Sequence, residues 1–317
     1  AEKLQIIGAS DGSTDATHDI VRSYADRGVQ LFVPPGHRGK TGTANECVPT
    51  TTSEILVFSD ATGVYDPQVI RALVANFADP SVGAVSGRVV YSYDKGVAAQ
   101  GFAAYQSFVV AHRHAEGRFG TETSVSGAIH AVRRELYKPA PADLSFDMVH
   151  PLHMAQLGKR TVYEFDAVCI EEARSRAEDE YSSRVRIGIR AYSYIPYLLH
   201  GLRTCNDPLF TFQVVSHKLL RWLSPLLLFG FIACSAVLAL RGGWFAAPFA
   251  ASVAGIVVAA IGWVCGRLGV NVPGMGVPLF FATINLGFLV GFVRYTNGGR
   301  VAGWAPDRGE GEVTTLE

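Results

Sequence analysis

The chain has 317 residues, 49% of them hydrophobic, and its 28 Lys and Arg balance its 28 Asp and Glu. A net charge of zero offers no positive field to draw a phosphate backbone, which argues against a nucleic-acid binder. The length suits one large domain or two, and the charges are unevenly spread: from Leu223 to Tyr295 the only ones are Arg241, Arg267 and Arg294.

In chain order, residues 4–9 form a short apolar run, and "DGSTDAT" then supplies turn residues and caps for a helix over 16–27. Residues 29–33 read as the next strand, followed by the loop "PPGHRGKTG" and a helix near 43–48. A strand over 54–59, a helix over 67–77 and a strand over 82–90 continue the alternation. Strand and helix in turn predict an α/β fold, a mostly parallel sheet with helices on both faces. Ligands of such sheets bind beyond the carboxyl ends of the strands, and Asp11 and Asp60 stand at two of those ends. Asp60, in "VFSDATGVYDP", either caps the strand and the helix after it or serves a ligand. Neither G-x-G-x-x-G nor G-x-x-x-x-G-K-[ST] occurs, so "GHRGKTG", with Lys40, reads as a loop near an anionic ligand rather than a P-loop.

Three segments of the apolar part, 223–240, 244–265 and 277–295, approach the roughly 20 residues that cross a bilayer as a helix. Trp222, Trp244, Trp263 and Tyr295 lie near their ends, where amphipathic rings favour the interface. The expectation is an integral membrane protein. Upstream, Arg184, Arg186 and Arg190 precede a Tyr-rich apolar stretch and read as an interfacial segment against anionic headgroups. The five cysteines are scattered with no C-x-x-C pair, which signals neither a disulfide framework nor a zinc site and fits a reducing cytosol.

The motifs "SDGSTDAT", "RGKTGTAN", "FSDATGVYDP", "VGAVSGRVVY", "SGAIHAVRRELY", "SFDMVHPL" and "HKLLRW", in this order and ahead of a membrane bundle, resemble the inverting glycosyltransferases of the cellulose, chitin and hyaluronan synthase type. The resemblance implies a GT-A fold, and transfer of a sugar from a nucleotide donor, UDP-linked, to a polysaccharide or lipid-linked acceptor. It also implies a plasma-membrane protein with a cytoplasmic catalytic domain. The expected division is a GT-A-like domain over 1–180, gating helices over 181–222, three spans within 223–295 and a polar tail over 296–317. The family's opening strand and "P-x-x-N-E"-like turn do not occur, so a fragment, or a chain lacking part of the donor pocket, is expected.

By the same resemblance Asp11 lies near the donor's base or ribose, and Asp60 is the candidate ligand of Mg²⁺ or Mn²⁺ beside the diphosphate. The family's D-x-D is broken here by Thr62, so either Asp60 and the phosphates hold the ion or Thr62 assists through water. Asp147 takes the place of the catalytic base, with Phe146 where a second acid usually stands. "KLLRW" stands for Q-x-x-R-W, with Lys218 in the Gln position, Arg221 offering planar donors to phosphate and Trp222 an aromatic face to the sugar. Arg134 is a candidate brace for the site, or else part of a solvated helix face. His150 and His153, three apart, have metal-clamp spacing but no further ligand nearby, so packing or acceptor contact is preferred. The departures at Thr62, Phe146 and Lys218 leave a second expectation, an inactive membrane partner of a polysaccharide-assembly complex.

Overall fold

Seven strands in two sheets form the amino-terminal half of the computed structural model, which describes residues 4–92, 96–172 and 177–301. Strands β1 (Ile6–Ala9) and β2 (Val29–Phe32) pair in parallel, with helix α1 (Thr17–Arg22) between them in sequence. The larger sheet contains β3 (Ile55–Ser59), β4 (Val64–Tyr65), β5 (Val82–Ser92), β6 (Ile129–Arg133) and β7 (Arg160–Glu172), in the spatial order β3-β6-β5-β7-β4. Helices α2 (Gly39–Cys47), α3 (Val69–Ala75), α4 (Val97–Phe119) and α5 (Phe146–Gln156) intervene.

The alternating pattern thus yields the α/β class expected, with one difference in strand direction. Only β5 and β7 are parallel in the larger sheet; β6 runs antiparallel to both its neighbours. The chain leaves β5 at the edge that also holds the carboxyl end of β3 and, after α4, enters β6 from that same edge. Apolar periodicity does not encode strand direction, so the sequence could not reveal this reversal. The sheet curls at Gly87, where β7 carries extra residues between Glu164 and Val168. A Cβ on Gly87 would lie 2.5 Å from Ile129 Cδ1 and 2.7 Å from the Ala167 carbonyl oxygen, so only glycine permits the approach.

One core joins α3 to the sheet through Val69, Leu73, Val85, Ile129, Ala131 and Ala167, all buried. A second lies between α5 and the helices that follow: α6 (Ala177–Leu202), α7 (Pro208–Val214) and α8 (Leu220–Ala239), with Val149, Leu152, Leu198, Phe210 and Trp222. Asp207 caps α7 by accepting from Phe210 N at 2.9 Å. The helix then runs through one π-helical turn, Val215–Leu219, directly into α8.

Among the described residues three helices are long and apolar enough to cross a membrane: Pro208–Ala239, Gly243–Arg267 and Gly276–Thr296, with mean hydropathies of 2.0, 2.1 and 1.9. They contain α8, α9 (Ala246–Arg267) and α10 (Gly276–Thr296). Leu227, Phe229, Phe231, Val237 and Ile256 are exposed on them, a cost in water that lipid removes. The expected interfacial segment is α6, which packs along α10. Helix α10 is held on two sides: a Cβ on Gly101 of α4 would meet the Gly276 carbonyl oxygen at 2.1 Å, and one on Gly291 would meet the Val185 carbonyl oxygen of α6 at 2.9 Å. Of the polar tail over 296–317, residues 302–317 lie outside the described residues.

Candidate functional site

The carboxyl-end edge of the sheet gathers the acids. Asp11, just past β1, turns its side chain onto the start of α2: Oδ1 accepts from Arg38 N at 2.6 Å and Thr43 Oγ1 at 3.0 Å, and Oδ2 accepts from Gly39 N at 2.9 Å. The acid caps a helix whose own preceding residue, Arg38, has no capping side chain. This long-range cap starts α2 at Gly39, ahead of the predicted onset, and presents Lys40 in its first turn.

Lys40 Nζ forms an ion pair with Asp60 Oδ1 and donates to the Gly127 carbonyl oxygen at 2.9 Å. Asp60, past the end of β3, is thereby tied to the loop ahead of β6. Across from it on β7, Glu171 Oε1 accepts from Thr62 Oγ1 at 3.4 Å. Burial, and after it the charge of Asp60, pushes the Glu171 carboxyl above its usual range. Glu171 is therefore a second carboxylate beside Asp60, supplied from the far end of the sheet where the sequence offered only Thr62 two residues on. Two carboxylates and a hydroxyl are a hard-oxygen donor set that fits Mg²⁺ or Mn²⁺ alongside donor phosphates.

Asp147 sits in the first turn of α5, fixed by Val125 N donating to its carbonyl oxygen at 2.9 Å. Its Oδ1 is buried and makes no hydrogen bond. Lys40, Gly127, Ser145, Asp147 and Arg190 line one narrow cavity of about 20 Å³. Arg190 comes from α6, its Nε likewise buried without a hydrogen bond; burial lowers its affinity for the proton and the charge of Asp147 restores part of it. Asp60 and Asp147 are thus brought together through Lys40. A larger groove of about 570 Å³, with Arg88, Tyr91, Gln106, His114 and Phe165, runs between α4 and the ends of β5 and β7. Tyr91 hydrogen-bonds Glu171, so this groove opens beside the acid pair.

The "KLLRW" residues divide. Lys218 Nζ donates to Ser124 Oγ at 2.7 Å and lies within electrostatic reach of Asp147 and Arg221. Arg221, in the first turn of α8, lies within electrostatic reach of His112 of α4 and of Lys218. Trp222 is only 5% exposed, its ring edge-on to Tyr194 and its carbonyl oxygen accepting from Tyr192 Oη at 2.8 Å. It packs in the second core and presents no free face for a sugar, a correction forced by its burial. Arg134 is also corrected. It is exposed just past β6, where Arg133 pairs with Ile55 and Arg134 N donates to the Glu54 carbonyl oxygen at 2.9 Å. That is the start of β3, the opposite end of the strand from Asp60, and the cause is the reversed direction of β6.

His150 is fully buried and neither of its ring nitrogens is hydrogen-bonded; it stacks on Phe146 at 4.9 Å and lies 5.7 Å from Phe58. It is a packing residue. Burial pushes its pKa down to about 3. The neutral ring is favoured in the folded state, so its contribution is intact above the unfolded value near 6.5 and is lost as pH falls towards about 3. His150→Phe is expected to reduce the loss of stability at pH ~4.5 by about 2 to 3 kcal/mol, read as a shallower acid limb in thermal unfolding. An unchanged acid limb would show that the ring is not held neutral.

Sequence reasoning missed Glu171 and the cluster of His112, Glu116 and His217, and it set Arg190 against lipid headgroups, whereas its buried guanidinium lines the cavity with Asp147. No local motif marks Glu171, since "CIEE" reads as a strand end.

Comparison with known proteins agrees with this geometry. Residues 1–139 match the family described as Glycosyl transferase family 2. Two validoxylamine A glucosyltransferases, from Streptomyces hygroscopicus subsp. jinggangensis and subsp. limoneus, are each 30% identical over 95 residues, covering 29% of this chain. The chain matches only 22% and 21% of their lengths. A mannosyltransferase from Pyrobaculum calidifontis, solved in complex with GDP-Man and Mn²⁺, superposes with a TM-score of 0.71 at 23% identity, over 93% of this chain and 78% of its own. The acids at the sheet edge, the match over residues 1–139 and the superposition agree on the fold: an α/β domain of GT-A type, similar over its first 139 residues to the glycosyl transferase family 2.

Proposed function

We propose that the protein is a membrane-embedded, inverting glycosyltransferase that moves a sugar from a nucleotide-diphosphate donor to a lipid-linked or polysaccharide acceptor. The observation that carries the reading is the convergence of Asp60 and Asp147, far apart in sequence, around the Lys40 side chain at the ligand-binding edge of the sheet. Support for the donor class comes from the Pyrobaculum protein, described with GDP-Man and Mn²⁺, and from the two glucosyltransferases. Support for a lipid setting comes from the three apolar helices and their exposed Leu and Phe side chains. The domain division proposed is the one expected from the sequence, with the sugar chemistry ahead of the lipid-facing bundle, the catalytic domain cytoplasmic and the plasma membrane its site.

In this reading Asp60 and Glu171 hold a divalent cation, Mg²⁺ or Mn²⁺, with Thr62 fixing the Glu171 carboxylate. When bound, the ion neutralises charge growing on the departing diphosphate. Lys40 turns from Asp60 to the phosphates, and Asp11 holds the helix start that aims it. Asp147 Oδ1, which is buried without a hydrogen bond, takes the proton of the acceptor hydroxyl as it attacks from the face opposite the leaving group. Arg190 lines the same cavity and faces that carboxylate. The groove beside Tyr91 and Arg88 is the proposed acceptor path.

The test is a screen of labelled nucleotide sugars on membranes carrying the protein. One donor is expected to yield nucleotide diphosphate in the presence of Mg²⁺ or Mn²⁺ and none after chelation. Silence with every donor and every acceptor extract would overturn the enzyme reading in favour of a non-enzymatic membrane partner.

A further inference from the structure

Away from the acid pair, three side chains from two distant segments meet. His112 and Glu116 stand one turn apart on α4, with His112 Nε2 3.7 Å from Glu116 Oε1. His217, from the π-helical turn that leads into α8, brings Nδ1 within 2.7 Å of the same oxygen, and the two imidazoles meet edge to face at 4.1 Å between centroids. All three ligand atoms lie within 4.8 Å of one another. Glu116 is 4% exposed, and its carboxylate is held by Thr123, whose N donates at 3.1 Å and whose Oγ1 donates at 3.2 Å. Such hydrogen bonds to a ligating carboxylate are the outer support that metal sites use. The histidines keep partial exposure, 23% and 32% of their side chains, which leaves an entry path.

We propose that His112 Nε2, Glu116 Oε1 and His217 Nδ1 bind a transition-metal ion of the zinc class, separate from the cation beside Asp60. A tetrahedral ion with ligands at about 2.0 to 2.1 Å spaces them about 3.3 Å apart. The two separations to Glu116 Oε1, 2.7 and 3.7 Å, bracket that value, and the third lies within 4.8 Å, so side-chain shifts would seat the ion. Binding replaces the proton shared by His217 and Glu116. Two imidazoles and one carboxylate select a borderline metal over Mg²⁺ or Ca²⁺, which prefer oxygen ligands throughout. Lys218 and Arg221 stand close by and repel a cation; that cost falls hardest on weakly held hard ions. The fourth position stays open to water, and the positive flanks suit an anion there. Because His217 precedes Lys218, the ion pins the K-x-x-R-W segment onto α4 and fixes how Lys218 faces Asp147.

The experiment is titration of the detergent-purified, metal-stripped chain with Co²⁺ and then Zn²⁺, using the metals alone. One equivalent of Co²⁺ is expected to give the visible absorption of a four- or five-coordinate site with nitrogen ligands, displaced by Zn²⁺. His112→Gln and His217→Gln are each expected to weaken Zn²⁺ binding by about 100-fold, whereas Asp60→Asn leaves it unchanged. Failure of all nucleotide-sugar turnover leaves this result intact, since the readout is metal binding. Equal binding by the wild type and both folded His variants overturns the proposal, as does loss of the signal on Asp60→Asn alone. Should either His variant misfold, Glu116→Gln and the other His variant decide it by the same titration.

Discussion

Asp147→Asn is expected to lower turnover by about 10³-fold while leaving the donor KM within about twofold. The substitution keeps the shape of the side chain and the backbone contact from Val125 that starts α5, so the fold has no reason to change. What it removes is the basicity of the carboxylate, whose Oδ1 is buried beside Arg190 without a hydrogen bond. An amide there cannot take up the proton released by the attacking hydroxyl, and in a site this enclosed little water is available to substitute. The measurement is nucleotide diphosphate release with saturating donor and acceptor. Activity within about tenfold of wild type would move the base elsewhere.

Asp60→Asn is expected to fail earlier, at donor binding. Its carboxylate carries the ion pair with Lys40 and shares its field with Glu171. Removing the charge halves the oxygen-ligand charge available to a divalent ion and leaves Lys40 without its partner. Donor affinity is expected to fall at least about 30-fold and turnover about 10²-fold or more, with Glu171→Gln costing about tenfold. Calorimetry with nucleoside diphosphate, with and without Mn²⁺, separates the two: the wild type gains affinity from Mn²⁺, and Asp60→Asn does not. Metal-enhanced binding retained by Asp60→Asn would reassign the cation site.

The alternation of apolar runs and helix signals made the α/β class legible, because β5 and β6 bury their apolar residues and α3 sets Val69 and Leu73 against them. The acids at 60 and 147 were singled out for a different reason: each follows or opens an element, and each belongs to a motif that carries the family resemblance; their roles remain part of the proposal. What failed depended on direction or distance. Arg134 follows β6, whose reversal carries it to the far end of β3. Lys40 was read in a loop because its helix is capped by Asp11 from 28 residues away in sequence, measured to Gly39. Trp222 looked free because a Trp at the start of a span usually meets the interface, yet Tyr192 and Tyr194 enclose it. The His112, Glu116 and His217 cluster spans 101 residues between Glu116 and His217, beyond the reach of any spacing rule.

The clasp of α10 between α4 and α6 has a mechanical consequence. Backbone meets backbone at Gly101 and Gly276, and again at Gly188 and Gly291, leaving no compliant side chains as a cushion. Close crossings of this kind oppose sliding of α10 past α4 and α6, and in a bilayer they would favour one height for the reaction cleft. Under the proposed function, that fixed height would set how far an acceptor has to reach from the lipid surface to Asp147.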